Sequence, residues 1–77
     1  MSRLPIVDAK TMEKVLIVLG FQKTRQRGSH AFYRHAAGRT TTLSHHPGRD
    51  LSRPLIREIL REIEVQPEAF QKELNTL

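Results

Sequence analysis

Four histidines, His30, His35, His45 and His46, fall within 17 positions of one another. Imidazole is the side chain whose ordinary pKa, about 6.5, lets it give and take protons near neutrality. His30 is set apart from the others because it directly follows the glycine turn Gly28-Ser29 and opens an apolar stretch. Nothing around His35 and His45 singles them out, and they are expected to be solvated or core-edge imidazoles. No HExxH motif is present, and the nearest carboxylate to the histidines downstream is Asp50 in a loop, so no metal centre is expected. The chain has no cysteine, which excludes disulfides, thiolate zinc sites and iron-sulfur ligation. Any nucleophile must be a hydroxyl, an imidazole, an amine or a carboxylate. Ser29 has no assignable base and orienting partner and is read as a turn former.

These residues need a scaffold that holds them. Met12, Val15, Leu16 and Leu19 recur at helical spacing, Asp8 is placed to cap the first turn, and Gly20 can take the left-handed conformation that stops the helix. Ile17 and Val18 are expected to widen the apolar face toward a sheet. From Phe21 the helical period ceases, and residues 21–26 read as a strand, followed by the turn at Arg27-Gly28-Ser29. Residues 30–35 and 39–44 read as the second and third strands of an antiparallel meander, with a turn at Ala36-Ala37-Gly38. A second helix opens at Ser52 or Arg53, tolerates Pro54 in its first turn, and carries Leu55, Ile56, Ile59, Leu60 and Ile63 as its stripe. A short third helix has Phe70, Leu74 and Leu77 as its apolar anchors and is marginal by length. Phe32 is the better core candidate of the second strand by apolarity, which places His30 and Arg34 on the helix side; Tyr33 as core would reverse the face of every residue in the strand.

At 77 residues, residues 1–77 are expected to form a single domain with one modest core. The net charge is +5, but it is divided: residues 1–57 hold 11 basic and 3 acidic side chains, whereas residues 58–77 hold 2 basic and 5 acidic. A basic body on so small a domain raises the expectation of a polyanionic partner, nucleic acid first. The longest apolar run, residues 15–19, is far short of the roughly 20 residues of a membrane span, so no membrane partner is expected. Met1-Ser2-Arg3-Leu4-Pro5 lacks the features of a secretory signal, and a cytoplasmic location is expected.

The helix end at Gly20-Phe21, the Gly28-Ser29-His30 turn running into Phe32-Tyr33-Arg34, the Thr42-Leu43 strand leading to His46, and Leu55 to Leu60 of the second helix occur in the order found in the HicA family of bacterial toxins. The chain resembles that family from about residue 8 to residue 65. The resemblance implies an α+β fold similar to the double-stranded-RNA-binding domain, with both helices on one face of a three-stranded sheet, in a metal-independent endoribonuclease that cleaves mRNA. It maps the catalytic histidine onto His30 and an accessory histidine onto His46. Many members have proline two residues before that second histidine, where this chain has Ser44. A HicB-like antitoxin covering the active site is the implied partner, and no cofactor is implied; from the residues themselves, the basic hairpin from Lys23 to Arg34 is the expected docking surface, with Leu74 and Leu77 as a further apolar anchor.

RNA carries its own nucleophile, the 2′-hydroxyl, so one histidine acting as base or as acid suits the chemistry. Lys23, Arg25, Arg27 and Arg34, together with Gly28 and Ser29 of the turn, are the expected phosphate-gripping residues. The competing reading is a non-catalytic RNA-binding module of the same fold. Against it, Arg53-Pro54-Leu55-Ile56-Arg57-Glu58 lacks the clustered lysines that duplex-RNA-binding domains set against phosphates.

Overall fold

The computed structural model describes residues 4–77; the reading of the N-terminal stretch falls largely on residues 1–3 and lies outside the described residues. The elements run α1 (Ala9–Val18), β1 (Phe21–Arg27), β2 (His30–His35), β3 (Thr40–Ser44), α2 (Arg53–Ile63) and α3 (Pro67–Asn75). This is the expected α+β layout. Among the described residues, no helix is long and apolar enough to cross a membrane.

Local chemistry sets the ends of the first helix. The Asp8 carboxylate accepts the Thr11 amide at 2.9 Å, which satisfies a free N–H and holds the carboxyl below its ordinary range. At the other end the chain reverses through Gly20 at φ +96°, where an added Cβ would lie 3.1 Å from the His35 ring. Ser52 caps α2 by accepting the Leu55 amide at 3.3 Å. The C-terminus of α2 is met by Arg39, whose guanidinium donates to the Ile63 carbonyl at 2.5 Å and favours the negative end of the helix dipole. Thr41 donates to Glu62 at 2.7 Å, fastening α2 to β3.

The sheet has the order β1-β2-β3, antiparallel throughout. Phe21, Ala31, Tyr33, Thr41 and Leu43 are buried on one face, against Met12, Val15 and Leu16 of α1 and Ile56, Ile59, Leu60 and Ile63 of α2. Among the described residues the opposite face carries no helix: Gln22, Arg25, Arg27, His30, Arg34, Thr40 and Thr42 are exposed there. Tyr33, at 1% exposure, is therefore the core residue, and Phe32 lies half-buried on the open face. Apolarity favoured Phe32; Tyr33 prevails because its ring fills the core while its hydroxyl reaches a polar partner at the margin.

Two further expectations are corrected. Ile17 and Val18 do not widen the buried face of α1; they are 52% and 59% exposed, and the residues the helix buries are Ala9, Met12, Val15 and Leu16. Leu55, at 41% exposure, likewise stands outside the α2 stripe. The tail helix is held more firmly than its length implies, since Phe70 is fully buried and Leu74 packs against the core.

Candidate active site

β1 does not keep a simple alternation. Lys23 pairs with Tyr33 and Arg25 with Phe32, so Thr24 is an extra residue in the strand, a β-bulge. The Thr24 hydroxyl donates to the Phe32 carbonyl at 3.3 Å and fills the gap left in the ladder. The bulge changes which cations share a face. Directly opposed residues point to the same side of a sheet, so Lys23 lies with Tyr33 on the helix side, whereas Arg25 and Arg27 lie with Phe32 and His30 on the open side. Arg34 joins them, opposite Gln22 on β1 and Thr40 on β3.

His30 stands at the exit of a two-residue turn. Gly28 has φ +60° at the first central position, as a type II′ hairpin requires, and Ser29 completes the turn before His30 pairs with Arg27. On its other side His30 pairs with Ser44, and the His45 amide donates to the Ser29 carbonyl at 2.7 Å, so both edges of this strand end are tied. The imidazole itself is exposed. Between residues 21 and 49 there are six Lys or Arg and no Asp or Glu. Among the described residues, none of Arg25, Arg27 and Arg34 takes part in an ion pair. The open face is thus a cationic surface with one proton carrier at its edge.

The helix side holds a different set of groups. The Tyr33 hydroxyl donates to the Glu13 carboxylate, Lys23 Nζ lies 3.2 Å from the same oxygen, and His45 Nε2 lies 3.0 Å from the Tyr33 hydroxyl. Because the phenol gives its proton to Glu13, its oxygen accepts from His45, which puts a proton on Nε2. Lys23 also donates to Gln26 at 3.2 Å, and Gln26 donates to the Gly28 carbonyl at 3.0 Å. The chain of contacts runs from α1 through β1 to the turn that presents His30. It borders a cleft of about 500 Å³ lined in part by Lys10, Glu13, Lys23, His45 and His46.

The expected site residues are therefore divided. His30, Arg25, Arg27 and Arg34 come together on the open face next to the Gly28-Ser29 turn, while Lys23 is turned to the helix side and paired with Glu13. His46 is exposed and lines the cleft, which His30 does not. His35 packs on Phe21, with ring centroids 5.1 Å apart, and accepts the Ala37 amide at 2.9 Å. Glu13, Tyr33 and His45 were not distinguished by sequence, and no local signal marks them: the partners are 20 and 12 residues apart. Among the described residues, no group of three or more His, Asp or Glu is arranged to hold a metal ion.

Tyr33 provides a direct probe of this network, being the only tyrosine in a chain without tryptophan. Burial, and then the hydrogen bond to Glu13, push its phenol well above its ordinary value of 10. Glu13 is held below its ordinary range, chiefly by the Tyr33 hydrogen bond and then by Lys23. A raised phenol pKa gives stability that is complete below pH 10 and is lost as pH rises through the folded-state value; the lowered Glu13 pKa gives stability that is lost at the acid end. Phenolate absorbance is expected to appear only above pH 10 and together with unfolding, and Glu13→Gln should bring it to lower pH. Titration of the native phenol at its ordinary value would contradict the network.

Residues 9–65 match the family model described as HicA toxin of bacterial toxin-antitoxin. No curated protein sequence matches the chain.

Proposed function

The chain belongs to the HicA toxin family of bacterial toxin-antitoxin modules, and from that premise we propose that it is a ribonuclease that cleaves mRNA with His30 as its proton carrier. The observation that carries this reading is the exposed His30 imidazole at the end of a cationic sheet face formed with Arg25, Arg27 and Arg34. Phosphates of the substrate are gripped by the three arginines, and the Gly28-Ser29 turn holds the backbone beside the reacting group. The 2′-hydroxyl attacks the adjacent phosphorus, its proton passes to a base, and the bond to the 5′ oxygen breaks as that oxygen gains a proton. The products are a 2′,3′-cyclic phosphate and a free 5′-hydroxyl. His30 serves one of the two proton transfers, and the arginines offset the charge that builds on the phosphoryl oxygens. The nucleophile belongs to the substrate, so the reaction needs no metal ion. His46, across the strand end in the helix-side cleft, has an accessory part.

The partner in this reading is a HicB-like antitoxin, whose acidic side chains cover the Arg25 to Arg34 region and block access to His30. Leu77 remains exposed for an apolar contact, whereas Leu74 is committed to the toxin's own core. The reading as a duplex-RNA-binding module is less well supported, because Arg53, the cation at the start of α2, is occupied with the Leu4 carbonyl at 2.9 Å.

The test is incubation of purified protein with RNA in the presence of a chelator. Cleavage is expected, with no cleavage where the scissile nucleotide is 2′-deoxy; binding without cleavage would make the chain an RNA-binding module instead. Replacing Arg25, Arg27 and Arg34 together by glutamine should reduce the slope of log affinity against log salt by about 2, since each phosphate contact to a single strand contributes about 0.7. Lys23→Gln should leave the slope nearly unchanged. An unchanged slope in the triple arginine variant would remove the open face from the interface.

A further inference from the structure

Phe32 is not used by the chemistry above, and its setting is unlike that of the other two phenylalanines. Phe21 and Phe70 are 2% and 0% exposed in the core, whereas Phe32 lies half-buried on the sheet face that no helix covers. The Arg25 guanidinium lies over its ring, 4.7 Å from the ring centroid. That guanidinium is there because of the bulge at Thr24. Without the extra residue, strict alternation from Lys23 would turn Arg25 and Arg27 to the helix side, and Phe32 would face solvent beside a threonine.

From this arrangement we infer that the open face holds a base-stacking subsite for single-stranded RNA, formed by Phe32 with Arg25 laid over it, next to His30. The inference rests on the ribonuclease reading and adds the substrate's strandedness and the residues that recognise it. Aromatic rings and guanidinium planes on an exposed sheet stack unpaired bases, which present a flat π-face whatever their sequence. Bases inside a duplex are already stacked on their neighbours and are closed to such a surface. Two residues along a strand span about 7 Å, so a base held at the Arg25–Phe32 pair lies that distance from Arg27 and His30, the next pair on the same face. Arg34 stands the same distance on the other side of Phe32. A single strand crossing the face then meets a cation, a stacking platform, and a cation with the proton carrier in succession. Hydrogen bonds to base edges have no assigned donors here, so the subsite positions a nucleotide without reading its identity strongly.

The experiment uses 2′-O-methyl oligoribonucleotides, which lack the attacking hydroxyl, so that binding by the unmodified protein is measured without cleavage. Three ligands are compared: a single strand, the same strand with abasic sugars in place of its central nucleotides, and a duplex. Phe32→Leu is expected to weaken binding of the single strand by about 5- to 100-fold, the range of one lost base stack, while binding of the abasic strand is unchanged. Phe32→Trp should retain affinity and place a lone indole at the subsite, its fluorescence quenched by the single strand and not by the abasic one. Circular dichroism of both variants confirms folding before binding is measured. Equal binding of the base-bearing strand by the parent and Phe32→Leu, unquenched indole fluorescence, or a duplex bound as tightly as the single strand would each overturn the subsite. Cleavage of ordinary RNA by the same preparation reports separately on the ribonuclease reading: a subsite that fails in a protein that cleaves leaves that reading intact.

Discussion

Replacing His30 with alanine is expected to lower the rate of RNA cleavage by about 10²- to 10⁴-fold, the contribution of one positioned proton carrier, while leaving folding and RNA affinity near those of the parent. The imidazole is exposed, contributes no core area, and follows a turn whose geometry is held by Gly28 and by backbone hydrogen bonds. Its removal should therefore change stability by no more than about 0.5 kcal/mol. Single-turnover cleavage, urea unfolding and binding to a non-cleavable strand separate these quantities. Added imidazole should recover part of the lost rate, a response that a purely structural role would not give. His46→Ala should reduce activity less. His35→Ala should act on stability, since His35 packs against Phe21 and accepts the Ala37 amide. Unimpaired cleavage by His30→Ala would overturn the assignment, and loss of its fold would make His30 a structural residue.

Phe70→Ala is expected to have the largest effect on stability of any substitution in the tail helix, since Phe70 joins α3 to the core. Phe70 is the one buried residue of α3 and is fully enclosed. Truncating a buried phenylalanine costs about 3–5 kcal/mol through lost burial and the cavity left behind. At roughly 0.05–0.15 kcal/mol per residue, a chain of this size has only about 4–12 kcal/mol in total. A nine-residue helix does not persist alone in water, so α3 should detach, uncovering the side of α1 on which it packs. The urea midpoint should fall sharply for Phe70→Ala and remain within the range of ordinary surface substitutions for Leu77→Ala, whose side chain is 53% exposed. Equal midpoints for Phe70→Ala and the parent would mean that α3 contributes nothing to the folded unit.

The elements and their order are legible in the residues alone. Asp8 and Gly20 bound the first helix because a carboxylate can accept free amides and a glycine can take positive φ; Ser52 and Pro54 open the second for similar local reasons. Gly28-Ser29 marks the turn that delivers His30, and the charge division between body and tail is visible without coordinates. How those elements face one another depends on long-range packing. Alternation in a strand has a period of two but no absolute phase, and adjacent Phe32 and Tyr33 each satisfy it, so the face carrying His30 was set by Tyr33 filling the core with its hydroxyl on Glu13. The Thr24 bulge has no local sequence mark, yet it separates Lys23 from Arg25 and Arg27 and thereby composes the open cationic face. Glu13, Tyr33 and His45 come from three separate segments, and their meeting depends on α1 lying across the sheet, a long-range packing choice that short-range spacing does not encode.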